Sequence, residues 1–285
     1  MSSGPSSPVR VVTDSSCDLP DAVADGLGIR IVPLAIRFGD EELIDREQLS
    51  TQEFWSRCAR SDTLPETAAP GPGQFEAVYR ELKGEGATGI VVVTLSGALS
   101  ATMQSAELAA RSVADEIPVR VVDTRSVSLG VGTIAIACAR LAAEGASLDE
   151  VEALARDRAA RTRVFGALDT LENLKKGGRI GNAKALLATA LAIKPIIEVI
   201  DGQVEQGGKQ RTRSKALRFL TDKVAEYEGR IEDLAVLNAD CSDVDEFVAM
   251  VQPHYPGEIV VGDIGPVIGT HAGRGTIGVA FSVRE

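Results

Sequence analysis

Three strand-like runs in the first half of the chain end in loops crowded with hydroxyls. They read Thr13-Asp14-Ser15-Ser16, then Thr94-Leu95-Ser96-Gly97-Ala98-Leu99-Ser100-Ala101-Thr102, then Asp123-Thr124-Arg125-Ser126-Val127-Ser128. In an open parallel sheet, ligands bind beyond the carboxyl ends of the strands, where the chain turns into a helix. The unpaired N–H groups and partial positive charge of that helix end favour an anion. Ser and Thr hydroxyls add hydrogen bonds there without adding charge. The same residue types also serve as N-caps and turn formers, so the loops admit a purely structural reading as well. A second candidate is His271, set in Gly265-Pro266-Val267-Ile268-Gly269-Thr270-His271-Ala272-Gly273-Arg274-Gly275 just before a terminal strand. Four glycines in these eleven residues imply tight backbone geometry and close approach of another group. Lys176-Gly177-Gly178-Arg179-Ile180 reads as a glycine-bent turn leading into a helix.

The familiar catalytic patterns are missing. Two histidines, His254 and His271, cannot make a multi-histidine metal site, and His254 reads as a surface loop residue in Pro253-His254-Tyr255-Pro256. No Gly-x-Ser-x-Gly elbow occurs. Gly207-Gly208-Lys209 lacks the earlier glycine and the following Ser or Thr of a phosphate loop. Gly273-Arg274-Gly275-Thr276-Ile277-Gly278 matches a dinucleotide fingerprint as a string, but only seven residues follow it, too few for the helix and strand that motif opens.

The elements that must position these groups alternate. Apolar, β-rich runs at Val9–Val12, Ile29–Ile36, Gly89–Thr94 and Val119–Asp123 are interleaved with helical patterns near 51–60, 73–83, 102–115 and 127–144. Strands buried on both faces and separated by helices indicate parallel βαβ units. This predicts an α/β domain over 9–165 with a parallel sheet, after a disordered Ser/Gly/Pro-rich lead-in over 1–8. The second half predicts a mixed α+β domain over 166–285, with the ligand between the two. Its elements are a helix over 183–193 ended by Pro195, a hairpin from Ile196–Ile200 through Asp201-Gly202 to Val204, strands at Leu234–Leu237, Glu258–Val261 and Thr276–Val283, and helices over 212–227 and 243–252.

Composition bounds the class. The 285 residues are 44% hydrophobic and 25% charged, close to a soluble globular average, which excludes a disordered chain. Aromatics are only 4%, so Ala, Val, Ile and Leu must build the core. Uncharged, largely apolar stretches such as the nine residues Ala185 to Ile193 are far short of the roughly 20 a spanning helix needs. No stable membrane insertion is expected. Cys17, Cys58, Cys138 and Cys241 form no Cys-x-x-Cys pair, and the N-terminus lacks a signal-peptide pattern, so a cytoplasmic, reducing location is expected. The net charge of −11 is uneven: residues 151–220 carry 7 acids and 14 bases, while the flanking segments are acidic. A basic middle segment is either a solvated face or a docking surface for an anionic partner. Nucleic acid is a poor fit, because the chain as a whole is acidic and no aromatics interleave with the bases.

Taken in order, four segments resemble the DegV family of bacterial fatty-acid-binding proteins, the lipid-presenting subunit of fatty acid kinase. They are Thr13-Asp14-Ser15-Ser16-Cys17-Asp18-Leu19-Pro20, Leu99-Ser100-Ala101-Thr102-Met103-Gln104-Ser105-Ala106, Lys176-Gly177-Gly178-Arg179-Ile180 and Gly265-Pro266-Val267-Ile268-Gly269-Thr270-His271. The resemblance implies a non-enzymatic carrier with a long-chain fatty acid in an inter-domain tunnel, no cofactor besides that ligand, and a separate ATP-dependent kinase as partner. It implies Thr67, in Pro65-Glu66-Thr67-Ala68-Ala69-Pro70, and Ser100 as carboxylate contacts, with Ser96 and His271 close by. It also implies Arg211 as a kinase contact. The family pattern has Thr-Ser-Gln-Pro where Thr67-Ala68-Ala69-Pro70 stands, Gly and Tyr at Ala101 and Met103, and Pro at Arg274; these departures bear on chain-length preference and partner choice. The rival reading is a serine/histidine hydrolase or phosphotransferase built on Ser100 and His271, acting on a lipid or small anion.

Overall fold

The computed structural model describes residues 8–61 and 63–285, with the side chains of all but 188–192. In chain order the elements begin with β1 (Val9–Asp14), a 3-10 turn (Ser15–Cys17), α1 (Asp21–Leu27), β2 (Arg30–Val32), β3 (Ala35–Phe38), β4 (Glu41–Ile44), α2 (Thr51–Arg60), β5 (Glu66–Ala68) and α3 (Pro72–Gly84). There follow β6 (Gly89–Thr94), α4 (Thr102–Ser112), β7 (Val119–Asp123), α5 (Leu129–Ala143), α6 (Leu148–Arg161), β8 (Thr162–Ala167) and α7 (Glu172–Lys176). After a 3-10 stretch (Gly181–Ala192) come β9 (Lys194–Ile200), β10 (Gln203–Gln210), α8 (Arg213–Ala225), β11 (Ile231–Asn238), α9 (Val244–Val251), β12 (Val260–Asp263), α10 (Pro266–Ala272) and β13 (Ile277–Val283).

Four strands pair all-parallel in the order β2-β1-β6-β7. Both faces of this sheet are covered, which is why β6 reads Gly-Ile-Val-Val-Val-Thr and is buried at every position. A six-stranded mixed sheet runs β10-β9-β8-β13-β11-β12, antiparallel except for the β11–β12 pair. Helix α5 lies between the two sheets and is buried on nearly all sides, so its residues are small or aliphatic all round. One apolar core therefore joins Val9, Val91 and Val93 of the parallel sheet through Ile134 of α5 to Leu237 and Ala280 of the mixed one. The outer face of the parallel sheet packs on α3 and α4, and that of the mixed sheet on α8 and α9.

Several expectations are corrected. The run Ile29–Ile36 is two strands, interrupted around Pro33, which has no N–H to give a ladder. Its second half, β3, joins β4 and β5 in a small antiparallel sheet that the sequence reading lacked. The 183–193 helix is a 3-10 stretch, Gly181–Ala192, and Pro195 sits inside β9. Helix α8 begins at Arg213, within a residue of the expected start, with the Thr212 hydroxyl accepting from the Lys215 N–H at 3.3 Å, so Arg211 precedes the helix. The Gly-dense segment before the last strand is itself helical, as α10. The lead-in expected over 1–8 lies outside the described residues except for Pro8, whose carbonyl accepts from the Thr88 N–H at 2.7 Å.

Candidate functional site

A cavity of about 200 Å³ opens between the two large sheets, next to the small one. Thirteen of its seventeen lining residues are apolar, and the four polar ones are Thr67, Ser100, Arg179 and His271. An apolar lining with few polar groups suits an apolar ligand that carries one polar group.

Each polar residue arrives from a different element. Thr67 is the middle residue of β5, opposite Ile36 of β3, and strand alternation turns it inward while Glu66 faces solvent and pairs with Arg37. Ser100 lies in the loop between β6 and α4, which folds back through Leu99 N–H and Ser100 N–H bonds to the Ser96 carbonyl. Its oxygen accepts from the Thr102 N–H at 3.3 Å and shares a hydrogen bond with the Thr102 hydroxyl at 2.9 Å. His271 stands in the last turn of α10, and its Nε2 lies 3.1 Å from Thr67 Oγ1. Arg179 follows the Gly177-Gly178 turn after α7; its Nε donates to the Leu99 carbonyl at 3.2 Å and its Nη1 to the Gly177 carbonyl at 2.7 Å. The guanidinium is thereby fixed beside the Ser100 loop. Thr67, Arg179 and His271 also border a second, polar hollow with Lys176 and Thr270, so the polar end of the cavity faces outward.

Burial, with Arg179 adding to it, pushes the His271 pKa down from 6.5 to about 4, so the imidazole is neutral. Its Nδ1 is buried without a hydrogen-bond partner. With the proton on Nε2, His271 donates to Thr67 Oγ1 and leaves the Thr67 proton free to point at a ligand. The sign of the pH effect follows. As pH falls below 6.5 the unfolded chain takes up the proton first, so the stability His271 contributes is complete above 6.5 and is lost towards about 4. His271→Gln should therefore flatten the acid limb of a pH–Tm curve relative to wild type, because the buried aspartates titrate in both proteins. Parallel curves would show that the ring is not held neutral.

Gly177 sets the seat of this ring. Its backbone, at φ −75°, suits any residue, but a Cβ there would lie 2.3 Å from His271 Nδ1. Gly177→Ala should push the imidazole off Thr67, at a cost of about 1–3 kcal/mol, and a ligand titration should show the loss. An unchanged titration would mean that the His271–Thr67 contact is dispensable.

The hydroxyl-rich loops divide. Only the Ser100 loop and Val127 reach the cavity. Ser96 is fully buried and outside the cavity lining; its hydroxyl donates to the Gly202 carbonyl at 2.6 Å and ties the β9–β10 hairpin tip to the parallel sheet. In the first loop, Ser15 Oγ accepts from the Leu34 N–H at 3.0 Å, while Asp14 accepts from the Leu95 N–H at 2.9 Å. In the third, Thr124 donates to the Thr94 carbonyl at 2.7 Å. These are internal ties. Ser100 bonds to Thr102 and not to His271, so a nucleophile–base pair is not assembled. His254 is on the surface, paired with Glu228 at 2.8 Å. The sequence reading singled out the Lys176–Ile180 turn but assigned Arg179 no part in a site.

The family model described as "Uncharacterised protein, DegV family" matches residues 8–284. The chain belongs to the DegV family. It is 37% identical over 280 residues to the DegV domain-containing protein SCO2569 of Streptomyces coelicolor, covering 97% of this chain and 99% of that one. Among solved structures, a fatty-acid-binding DegV family protein of Thermus thermophilus superposes with a TM-score of 0.86 at 35% identity, covering 97% and 99% of the two chains. A DegV family protein of Eubacterium eligens, loaded with heptadecanoic acid, superposes with a TM-score of 0.84 at 27% identity, covering 97% and 100%. Of the departures from the DegV pattern, Ala69 and Ala101 line the cavity. Ala68 is exposed opposite Ala35 on β3, and Arg274 pairs with Asp240 at 2.5 Å on the outside. Met103 packs near Gly97.

Proposed function

We propose that this protein binds a long-chain fatty acid and presents it to a separate ATP-dependent fatty acid kinase for conversion to the acyl phosphate. The observation that carries the reading is an apolar cavity ended by Thr67, Ser100, Arg179 and His271. An acyl chain fills the apolar part. A carboxylate at the polar end accepts hydrogen bonds from the Thr67 and Ser100 hydroxyls and lies near the Arg179 charge. The fatty acid named for the Thermus and Eubacterium relatives supports the same ligand here. The polar hollow with Lys176 leaves that carboxylate reachable by a second protein, and the sequence holds no phosphate loop of its own. With Ala69 where the family has Gln and Ala101 where it has Gly, two apolar side chains line the cavity, which bears on the chain accepted.

In this reading the protein is a carrier and not an enzyme, and Arg211 contacts the kinase. No helix among the described residues is long and apolar enough to cross a membrane. Cys17, Cys58, Cys138 and Cys241 are free thiols, as suits work in the cytoplasm. Competition binding tests the head group: hexadecanoic acid should bind at least about tenfold tighter than its methyl ester, which cannot accept charged hydrogen bonds. Equal affinities would refute a carboxylate seat.

A further inference from the structure

The two hydroxyls of the proposed carboxylate seat are backed by different groups. Thr67 Oγ1 has His271 Nε2 behind it at 3.1 Å. Behind Ser100 stands Thr102, the first residue of α4, which is fully buried and outside the cavity lining. It meets Ser100 Oγ twice: its N–H donates at 3.3 Å, and its hydroxyl oxygen lies 2.9 Å away.

Their surroundings decide which hydroxyl gives its proton to the other. Among the described residues, the Thr102 hydroxyl has no hydrogen-bond partner besides Ser100. A Thr102 proton turned away from Ser100 would therefore be buried and unpaired, which is costly. Ser100 is only half-buried and borders the cavity, so its proton has another place to go. A hydroxyl carries one proton and two lone pairs. With one lone pair taken by the Thr102 N–H and the other by the Thr102 O–H, Ser100 can only donate, and only toward the cavity.

We propose that Thr102 is a positioning residue for the head group, acting through Ser100 by filling its acceptor sites and aiming its proton at the ligand. The inference rests on the fatty acid reading above and deepens it. Its consequence is a preference among head groups. A carboxylate only accepts, so it matches a seat that only donates. An alcohol of the same chain length brings a proton for which Ser100 has no free lone pair. Thr102 thus favours acid over alcohol without touching either.

Competition binding of hexadecanoic acid and hexadecan-1-ol to the full chain tests this. Thr102→Val keeps the branched shape and the N–H but loses the hydroxyl. The acid-to-alcohol affinity ratio should fall about threefold to tenfold, the worth of one hydrogen bond, and Thr102→Ser should restore it. In a Ser100→Ala background, Thr102→Val should not move the ratio further, because two residues acting as one unit are not additive. An unchanged ratio in Thr102→Val, equal loss for both ligands included, or a further fall in the Ser100→Ala background overturns the assignment. Absence of hexadecanoic acid binding in wild type would sink the fatty acid reading along with it, whereas an unchanged ratio with that binding intact sinks this inference alone. Neutron diffraction from wild-type crystals grown with hexadecanoic acid locates the same proton even if the variant does not fold. A Thr102 proton on the line to Ser100 Oγ supports the assignment, and a Ser100 proton on that line overturns it.

Discussion

Thr67→Ala and Ser100→Ala should each weaken binding of a labelled long-chain fatty acid about tenfold or more. Each removes one of the two hydroxyl donors of the proposed carboxylate seat, and a hydrogen bond to a charged group contributes about 1.5–3 kcal/mol. The two variants differ in a second way. Thr67→Ala also leaves His271 Nε2 without its partner, adding an unsatisfied buried group beside the unpaired Nδ1. Ser100→Ala leaves the Thr102 N–H at the start of α4 without its acceptor, a cost to stability more than to His271. Thr67→Ala should therefore carry the larger penalty in binding. Unchanged affinity in both variants would move the head group elsewhere.

If the proposed kinase partnership holds, Arg211→Glu should leave fatty acid binding intact and sharply reduce phosphorylation of the bound lipid. Arg211 is exposed just ahead of α8, and Lys209, Lys215 and Arg218 around it are exposed as well. These four make no ion pair among the described residues, whereas Arg213 is paired with Asp243 at 2.8 Å and drops out of the cluster. Bases at the start of a helix oppose its dipole, so an unpaired group of them is better explained by something that binds there. The defect should grow with added salt, because exposed charges are screened over about 8 Å at physiological ionic strength. A normal phosphorylation rate across kinase concentrations would remove Arg211 from the interface.

What could be read ahead of the structure, and what could not, divides on physical lines. Strand β6 is legible because it is buried on both faces and reads as an unbroken apolar run, and β1 and β7 from their valines, although each carries an arginine. Helix α2 is legible from its helical pattern near 51–60, and the structure adds a cap, the Ser50 hydroxyl accepting from the Glu53 N–H at 3.2 Å. The small sheet was not, since three- and four-residue strands are too short to show alternation. Helix α10 was hidden by Pro266 and Gly269. It forms because tertiary packing outweighs propensity, and Gly269 allows it to lie against Phe54 and Trp55, where a Cβ would come within 2.8 Å of either ring.

In the site, Thr67, Ser100 and His271 do meet at one cavity. Ser96 and Ser100 stand in the same loop with the same chemistry, and only a carbonyl more than a hundred residues away, at Gly202, decides that Ser96 is structural. Arg179 failed to register for the converse reason. A charged residue after two glycines reads as an exposed turn, until the fold brings the Leu99 carbonyl to its Nε.

Lipid extracted from the purified protein and identified by mass spectrometry tests the central claim most directly. A cavity of this shape and lining predicts a free long-chain fatty acid at roughly one molecule per chain, retained in wild type and depleted in Thr67→Ala. Recovery of a neutral amphiphile, of a small polar anion, or of the same fatty acid load in both proteins would contradict it.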